Sequence, residues 1–315
     1  MTAAAHAESP TQLPGELPRE SPSESQCDVL VIGGGPAGST IAALLAGKGE
    51  RVTLLEKDKH PRFHIGESLL PFNMPLFEQL GVMDEIKRIG MLKLGIELIS
   101  PKHRKPVFLN FALGWDKSFS YAYQVRRSVF DHILLKNAAA KGANVIESCR
   151  VTAAEFPPEG GVVVRAQRED GQSADWRAKF LVDASGRDTF LASRMGIKHR
   201  DRRHNSAAIF GHFTGAKRLP GEAEGHITIF WFDEGWFWFI PLSDGTTSIG
   251  VEPRRTPPRR RPHDPALVRV PPRSPSKRRS SPPDTSRRRS RPWCGASRPA
   301  SATRCCWASP APARR

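Results

Sequence analysis

The sequence predicts a mixed α/β fold, on two observations. The first is an apolar run, Asp28-Val-Leu-Val-Ile-Gly33, that passes through a glycine-rich turn into a small-residue helix and on to a second apolar run. The second is a late change of period: between 207 and 250, four alternating or apolar runs follow one another, separated by Gly and Asp turns. With 315 residues, 38% of them apolar, the chain can bury the core of one large domain or two modest ones.

Residues 1–26 hold four prolines and almost no large apolar side chain, so burial cannot offset the entropy of ordering them. A disordered leader is predicted there. It has no apolar h-region, so neither a signal peptide nor a membrane anchor is expected, and a cytoplasmic protein is. Residues 27–252 read as the folded part. A strand over 28–32 is followed by a helix over 36–47 and a second strand over 51–56. A helix-rich stretch over 70–89 precedes strands near 92–100 and 106–111. An amphipathic helix over 127–141 then turns Val129, Phe130, Ile133, Leu134 and Leu135 to the core. Short strands around 151, 162–166 and 180–183 lead into the 207–250 region, expected to be a flat sheet covering a pocket.

After Glu252 the composition changes abruptly: 14 of the 28 prolines lie beyond it, and no helical or strand period survives. A disordered Arg/Pro/Ser-rich tail over 253–315 is predicted. Such a change is expected where GC-rich codons are read in a shifted frame. Thr303-Arg-Cys-Cys-Trp-Ala308, written back as ACG CGC TGC TGC TGG GCG, gives Ala-Leu-Leu-Leu-Gly in another frame, so out-of-frame translation is the expectation.

The formal net charge of +16 lies wholly in that tail, which carries seventeen arginines, one lysine and two aspartates; the first 252 residues balance at 30 basic and 30 acidic groups. By composition the body is no nucleic-acid binder. Runs such as Lys277-Arg-Arg-Ser-Ser and Arg287-Arg-Arg-Ser-Arg would hold nucleic acid only non-specifically, by counterion release. The five cysteines, Cys27, Cys149, Cys294, Cys305 and Cys306, lack any repeated metal-ligand spacing, and so large a chain does not need disulfides. No metal is expected, and a reducing compartment is.

Gly33-Gly-Gly35-Pro36-Ala37-Gly38 is G-x-G-x-x-G, a weak signal alone and a strong one here. It follows an apolar strand, opens a helix, and precedes by about twenty residues the acidic Glu56 that ends the next strand. Gly33 allows the tight turn, Gly35 lets the backbone approach a pyrophosphate, and Gly38 lets helix and strand pack closely. The helix N-terminus offers amide donors and partial positive charge, and Glu56 can accept from ribose hydroxyls. A 2′-phosphate would be repelled by Glu56, so FAD or NAD is favoured over NADP.

Four further segments carry a family resemblance. Asp183-Ala-Ser-Gly186 resembles the D-x-x-G turn of FAD-dependent monooxygenases, and Gln124-Val-Arg-Arg127-Ser-Val-Phe-Asp131 resembles their Q-V-x-R-x-x-F-D helix, whose arginine lies beside the cofactor. Arg62-Phe-His-Ile-Gly-Glu-Ser68-Leu-Leu-Pro71 and Trp236-Phe-Trp238-Phe-Ile-Pro241, a full W-x-W-x-I-P, are similar to segments of flavin-dependent halogenases, especially those acting on phenols or carrier-bound aryl and pyrrolyl groups. The resemblance covers about 28–250. It implies a Rossmann-type, glutathione-reductase-like FAD-binding domain with an inserted β-rich substrate-side sheet at about 92–125 and 205–250. It also implies an oxidoreductase that chlorinates or brominates an electron-rich ring with halide, oxygen and reduced FAD supplied by a separate flavin reductase. Gly33, Gly35, Pro36, Ala37, Gly38, Glu56, Lys57, Arg62, Ser68, Arg127, Asp183 and Gly186 are then the cofactor-binding residues.

In the family a lysine captures or orients hypohalous acid, and Lys93, in the K-x-G strand Met91-Leu-Lys-Leu-Gly95, is the matching residue. Read by itself, a lysine among apolar strand neighbours sits exposed at a sheet edge. Trp236 and Trp238 share one strand face and match the indoles that wall the flavin from the substrate; by themselves they read as core packing. His64 and Glu67 shape the flavin or halide side, or cap and pack. The family's later G-D-A-x-x-x-x-D-P segment does not occur in this chain. A flavin monooxygenase or reductase of the same superfamily is the alternative.

Overall fold

The computed structural model describes residues 25–253 apart from 104, 116 and 200–206. All of the expected tail but Pro253, the expected change of frame and all but the last two residues of the expected leader lie outside them.

Strand β1 (Ser25–Ile32) begins three residues earlier than expected, because Ser25, Gln26 and Cys27 pair in register with Trp176, Arg177 and Ala178. Helix α1 (Pro36–Ala46) starts with proline at its first position, where the missing N–H is not needed. Then come β2 (Val52–Leu55), α2 (Met74–Leu80) and α3 (Met83–Ile89). Gly81 in the left-handed region ends α2 and so divides the helix-rich stretch. Acidic Asp84 and Glu85 open α3 and basic Lys87 and Arg88 close it, matching its dipole. Strands β3 (Met91–Lys93), β4 (Gly95–Ile99), β5 (Val107–Asn110) and β6 (Ala122–Gln124) lead to α4 (Arg127–Ala140). On α4 the residues Phe130, Ile133, Leu134 and Leu135 are buried as expected, but Val129 is 40% exposed: the fully buried Asp131 takes a place on the inward face.

Strands β7 (Asn144–Ile146), β8 (Cys149–Glu155), β9 (Val162–Arg168) and β10 (Ser173–Asp183) complete a six-stranded sheet in the order β7-β2-β1-β10-β9-β8. β7, β2, β1 and β10 run parallel, as a Rossmann-type unit requires, while the first half of β10 turns antiparallel to β9. The expected strand over 180–183 is thus only the end of an eleven-residue strand. Its first part buries Trp176 and Ala178 and exposes the charged Arg177 and Lys179 that alternate with them. Lys179 and Arg51 both pair with Asp28, tying β10 and the start of β2 to β1 and holding the Asp28 carboxyl well below the usual range.

A short helix α5 (Phe190–Arg194) follows, and then β11 (Ile209–Phe213), β12 (Ile227–Phe232), β13 (Gly235–Pro241) and β14 (Thr247–Pro253). These four join β4 and β5 in a second six-stranded sheet, order β11-β14-β13-β12-β4-β5, antiparallel except for β12 against β4. β3 and β6 pair as a separate ribbon. A cavity of about 300 Å³ lies among α1, α2 and α4; Pro36, Ala37, Gly66, Leu76, Arg127 and Phe130 are among its walls. Among the described residues no helix is long and apolar enough to cross a membrane.

Candidate active site

The glycine turn is sterically committed. Gly33 has φ +99°, and a Cβ there would stand 2.6 Å from the carbonyl oxygen of Ala184; a Cβ on Gly38 would stand 1.8 Å from the Gly33 carbonyl oxygen. The Asp183-Ala-Ser-Gly186 turn therefore rests directly on the first turn, with Ala184 N donating to Ile32 O at 2.9 Å. At Gly35, by contrast, a Cβ would meet only Arg62 Nη2 at 3.6 Å, and no side chain caps the helix it opens. The first amides of α1, Pro36 aside, face that opening without intrahelical acceptors.

Around the turn lies a buried ion cluster. Glu56 is 2% exposed; its Oε2 accepts from Gly34 N at 2.5 Å, its Oε1 from Asp58 N at 2.9 Å. Arg62 reaches from Glu56 Oε2 (3.7 Å) to Asp131 Oδ2 (3.6 Å), both longer than hydrogen bonds, and its Nε has no hydrogen-bond partner. Arg127 grips Asp131 with two nitrogens, at 2.7 and 3.0 Å, and donates to Ile65 O at 2.6 Å. A guanidinium whose Nε makes no hydrogen bond, beside an open glycine turn, suits the phosphates of a dinucleotide.

Four further expected cofactor residues have these surroundings. The Asp183 carboxylate is turned to its own loop, accepting from Ser185 N, Ser185 Oγ and Leu191 N, and so shapes the turn. Gly186 has φ +65° in the same turn. Lys57 pairs with Asp188 at the surface, which draws its amine away from the glycine turn. Ser68 faces Lys93, as follows.

Residues 67–69 run beside β6 as a third strand of the small ribbon: Val125 N donates to Glu67 O at 2.8 Å and Leu69 N to Tyr123 O at 3.0 Å. Lys93, paired with Ala122 across β3 and β6, points into the space so closed. It is 1% exposed, not at an open edge. Its Nζ donates to Ser68 Oγ and to Leu69 O, both at 2.8 Å, and lies 5.2 Å from the centre of the Phe111 ring. Burial pushes its amine down to about 8. Burial likewise lowers His226, which also feels Glu97 and Lys93.

The tryptophans stand on β13 with ring centres 5.6 Å apart. Trp238 is buried and donates from Nε1 to Ser248 Oγ at 3.2 Å; Trp236 is half-buried. Across β14 only a glycine fits, since a Cβ on Gly250 would lie 2.2 Å from the Trp238 ring. The indole thereby reaches Phe210 on β11, 6.2 Å between centres. Ile65 packs into the same cluster. His64 Nδ1 lies 2.7 Å from Ile65 O, a local contact.

Sequence reasoning missed His212, whose Nε2 lies 2.7 Å from Glu67 Oε1, and Gln124, buried, whose Nε2 donates to Gly225 O at 3.1 Å. The alternation of Phe63, Ile65 and Glu67 was a legible signal that these three share a face; that His212 meets them was not, because it comes from a strand 145 residues away. Among the described residues no group of three or more His, Cys, Asp or Glu side chains is placed to hold a metal.

A parallel sheet entered through an uncapped glycine turn, with a carboxylate at the end of its second strand, defines a dinucleotide-binding protein, and residues 26–304 match a family described as FAD binding domain. The chain belongs to that family. Its similar relatives include proteins named as halogenases. Flavin-dependent halogenase armH3 of Armillaria mellea is 39% identical over 237 residues, 71% of this chain and 46% of that protein. The 1H-pyrrole-2-carbonyl-[peptidyl-carrier protein] chlorinase of Pseudomonas fluorescens is 34% identical over 250 residues, 71% of this chain and 55% of that one. Among solved structures, the myxobacterial chondrochloren halogenase CndH superposes with a TM-score of 0.68 at 39% identity, over 73% of this chain and 53% of that chain. The chain spans about half the length of the curated relatives it matches.

Proposed function

We propose that the protein takes part in halogenation of an electron-rich aromatic ring, with reduced FAD, oxygen and chloride or bromide. One observation carries this reading: Lys93, alone among the expected site residues, is a fully buried amine held by two neutral acceptors and by no carboxylate. A charged amine there is poorly compensated, so it sheds its proton at about pH 8, well below the ordinary lysine value, and its neutral form has a lone pair for hypohalous acid. Bound FAD supplies the reduction of oxygen and the oxidation of halide. The turn from Gly33 to Gly38, with Arg62 and Arg127, holds its phosphates, and Glu56 its ribose. Trp236 and Trp238 form an apolar wall that keeps water and the organic ring from the flavin side. Ser68 and Leu69 O fix the direction of the Lys93 lone pair.

The reduced cofactor comes from a separate flavin reductase, since the described residues hold one strand–glycine turn–helix unit, at residues 25–46. The substrate is a free phenol or a carrier-bound pyrrolyl or aryl group, by likeness to the Pseudomonas chlorinase. Cys27 and Cys149 are buried free thiols, in keeping with the cytoplasm. Incubation with photoreduced FAD, oxygen and bromide in the presence of simple phenols, read by mass spectrometry, tests the proposal. Brominated product supports it; hydroxylated product assigns the chain to the monooxygenases.

A further inference from the structure

The segment from Arg62 to Ser68 has two sides. Arg62 and Ser68 turn to the ion cluster and to Lys93, whereas Phe63, Ile65 and Glu67 turn to the second sheet. There Phe63 stacks on Phe210, with ring centres 5.8 Å apart and planes 9° off parallel, and meets the edge of His212. The registers Phe210↔Gly250↔Trp238 and His212↔Ser248↔Ile240 place Phe210 and His212 on the face that carries the tryptophans.

Glu67 is 1% exposed, and the His212 ring is the side-chain donor on its Oε1; its Oε2 is buried without a partner. A carboxylate so buried needs the hydrogen bond it has, which fixes the ring: Nε2 carries the proton that Oε1 accepts, and Nδ1 keeps its lone pair. Nδ1 makes no hydrogen bond among the described residues, and the His212 side chain is 21% exposed, beside the open Phe63 ring. An imidazole backed by a buried carboxylate, in edge contact with an exposed aromatic ring, is a base without an assigned acid.

We infer that His212 is a catalytic residue that takes the acidic proton of an aromatic substrate, a phenol or an N–H azole, and that Glu67 is the positioning residue behind it. The inference rests on the halogenation reading and narrows its substrate class. For a phenol, the O–H proton passes to His212 Nδ1 and the O–H electron pair stays on oxygen. The activated ring carbon then attacks the halogen of hypohalous acid; the carbon–halogen bond forms as the halogen–oxygen bond breaks. The departing hydroxide takes the ring proton to become water, and the imidazolium returns its proton to the product oxygen. Phenol and hypohalous acid give halophenol and water.

The probe is 4-nitrophenol, whose anion absorbs visible light, titrated with the whole chain at mildly acidic pH where the free probe is mostly protonated. The wild type should raise the phenolate absorbance saturably. His212→Gln, which keeps an N–H for Glu67 and has no basic nitrogen, should lose the rise, and Glu67→Gln should weaken it. No rise with the wild type, or an equal rise with His212→Gln, overturns the inference. A reading without a variant covers a His212→Gln protein that fails to fold: in ¹⁵N-histidine-labelled wild type, probe binding should protonate Nδ1 of the ring that donates to Glu67, and an unchanged ring overturns the assignment. Failure of the two readings is distinguishable. Phenolate formation without halogenated product keeps the base and loses the enzyme reading, and phenol halogenation that survives His212→Gln does the reverse.

Discussion

Lys93 Nζ donates to Ser68 Oγ at 2.8 Å, and through that bond the buried amine is joined to the segment whose other end, Arg62, stands over the open glycine turn. Cofactor cradle and amine are thus held by one stretch of chain.

The lowered Lys93 amine makes a statement about stability. Its folded value of about 8 lies below the ordinary 10.5, so between those pH values the unfolded chain binds a proton that the folded chain does not. Stability relative to Lys93→Met should therefore rise as pH is raised through that window, by at most about 3 kcal/mol. Urea unfolding at pH values near its two ends measures this, and a difference independent of pH would contradict the burial of a titrating amine.

Ser68→Ala removes one of the two acceptors of Lys93 and leaves Leu69 O. Loss of a hydrogen bond of this kind, about 1–2 kcal/mol, should slow halogenation ~5- to 30-fold without abolishing it. Ser68→Thr should restore most of the rate, and FAD affinity, measured by flavin fluorescence, should hold. Loss of FAD binding in Ser68→Ala with the halogenation step intact would return Ser68 to the cofactor.

Gly38→Ala places a methyl group 1.8 Å from the Gly33 carbonyl oxygen, and that oxygen cannot yield without moving the turn. FAD binding should be lost and the melting temperature should fall. An FAD titration equal to that of the wild type would show that the turn is not the phosphate cradle.

A purified chain with FAD and NADH should oxidise NADH no faster than FAD does by itself, and should need a flavin reductase for turnover. Rapid oxidation without one would reveal a nicotinamide site that the single glycine turn does not account for.

Much of the first sheet was legible because parallel strands, buried on both faces, read as apolar runs, as 29–32 does, and 52–55 but for the buried Thr53. β10 was read short because its first half lies where the sheet turns antiparallel, exposing Arg177 and Lys179. Val129 was misplaced because hydrophobicity alone cannot foresee that Asp131, gripped by Arg127, takes an inward position. At the site, Gly33, Gly38, Arg127 and Lys93 stand out in the sequence because their neighbours on the chain are also their neighbours in motif. The partners that give them their chemistry do not: Ser68 lies 25 residues from Lys93, and His212 lies 145 from Glu67. Only the docking of the 62–70 segment against β6 and the second sheet brings them together.

The central claim is that the Lys93 amine handles the halogenating species. Lys93→Met, close in size and without a lone pair on nitrogen, tests it most directly, assayed with reduced FAD, oxygen, bromide and a phenol beside a parallel FAD titration. The account predicts unchanged FAD affinity and no brominated phenol above background. Bromination at the wild-type rate by Lys93→Met would contradict it.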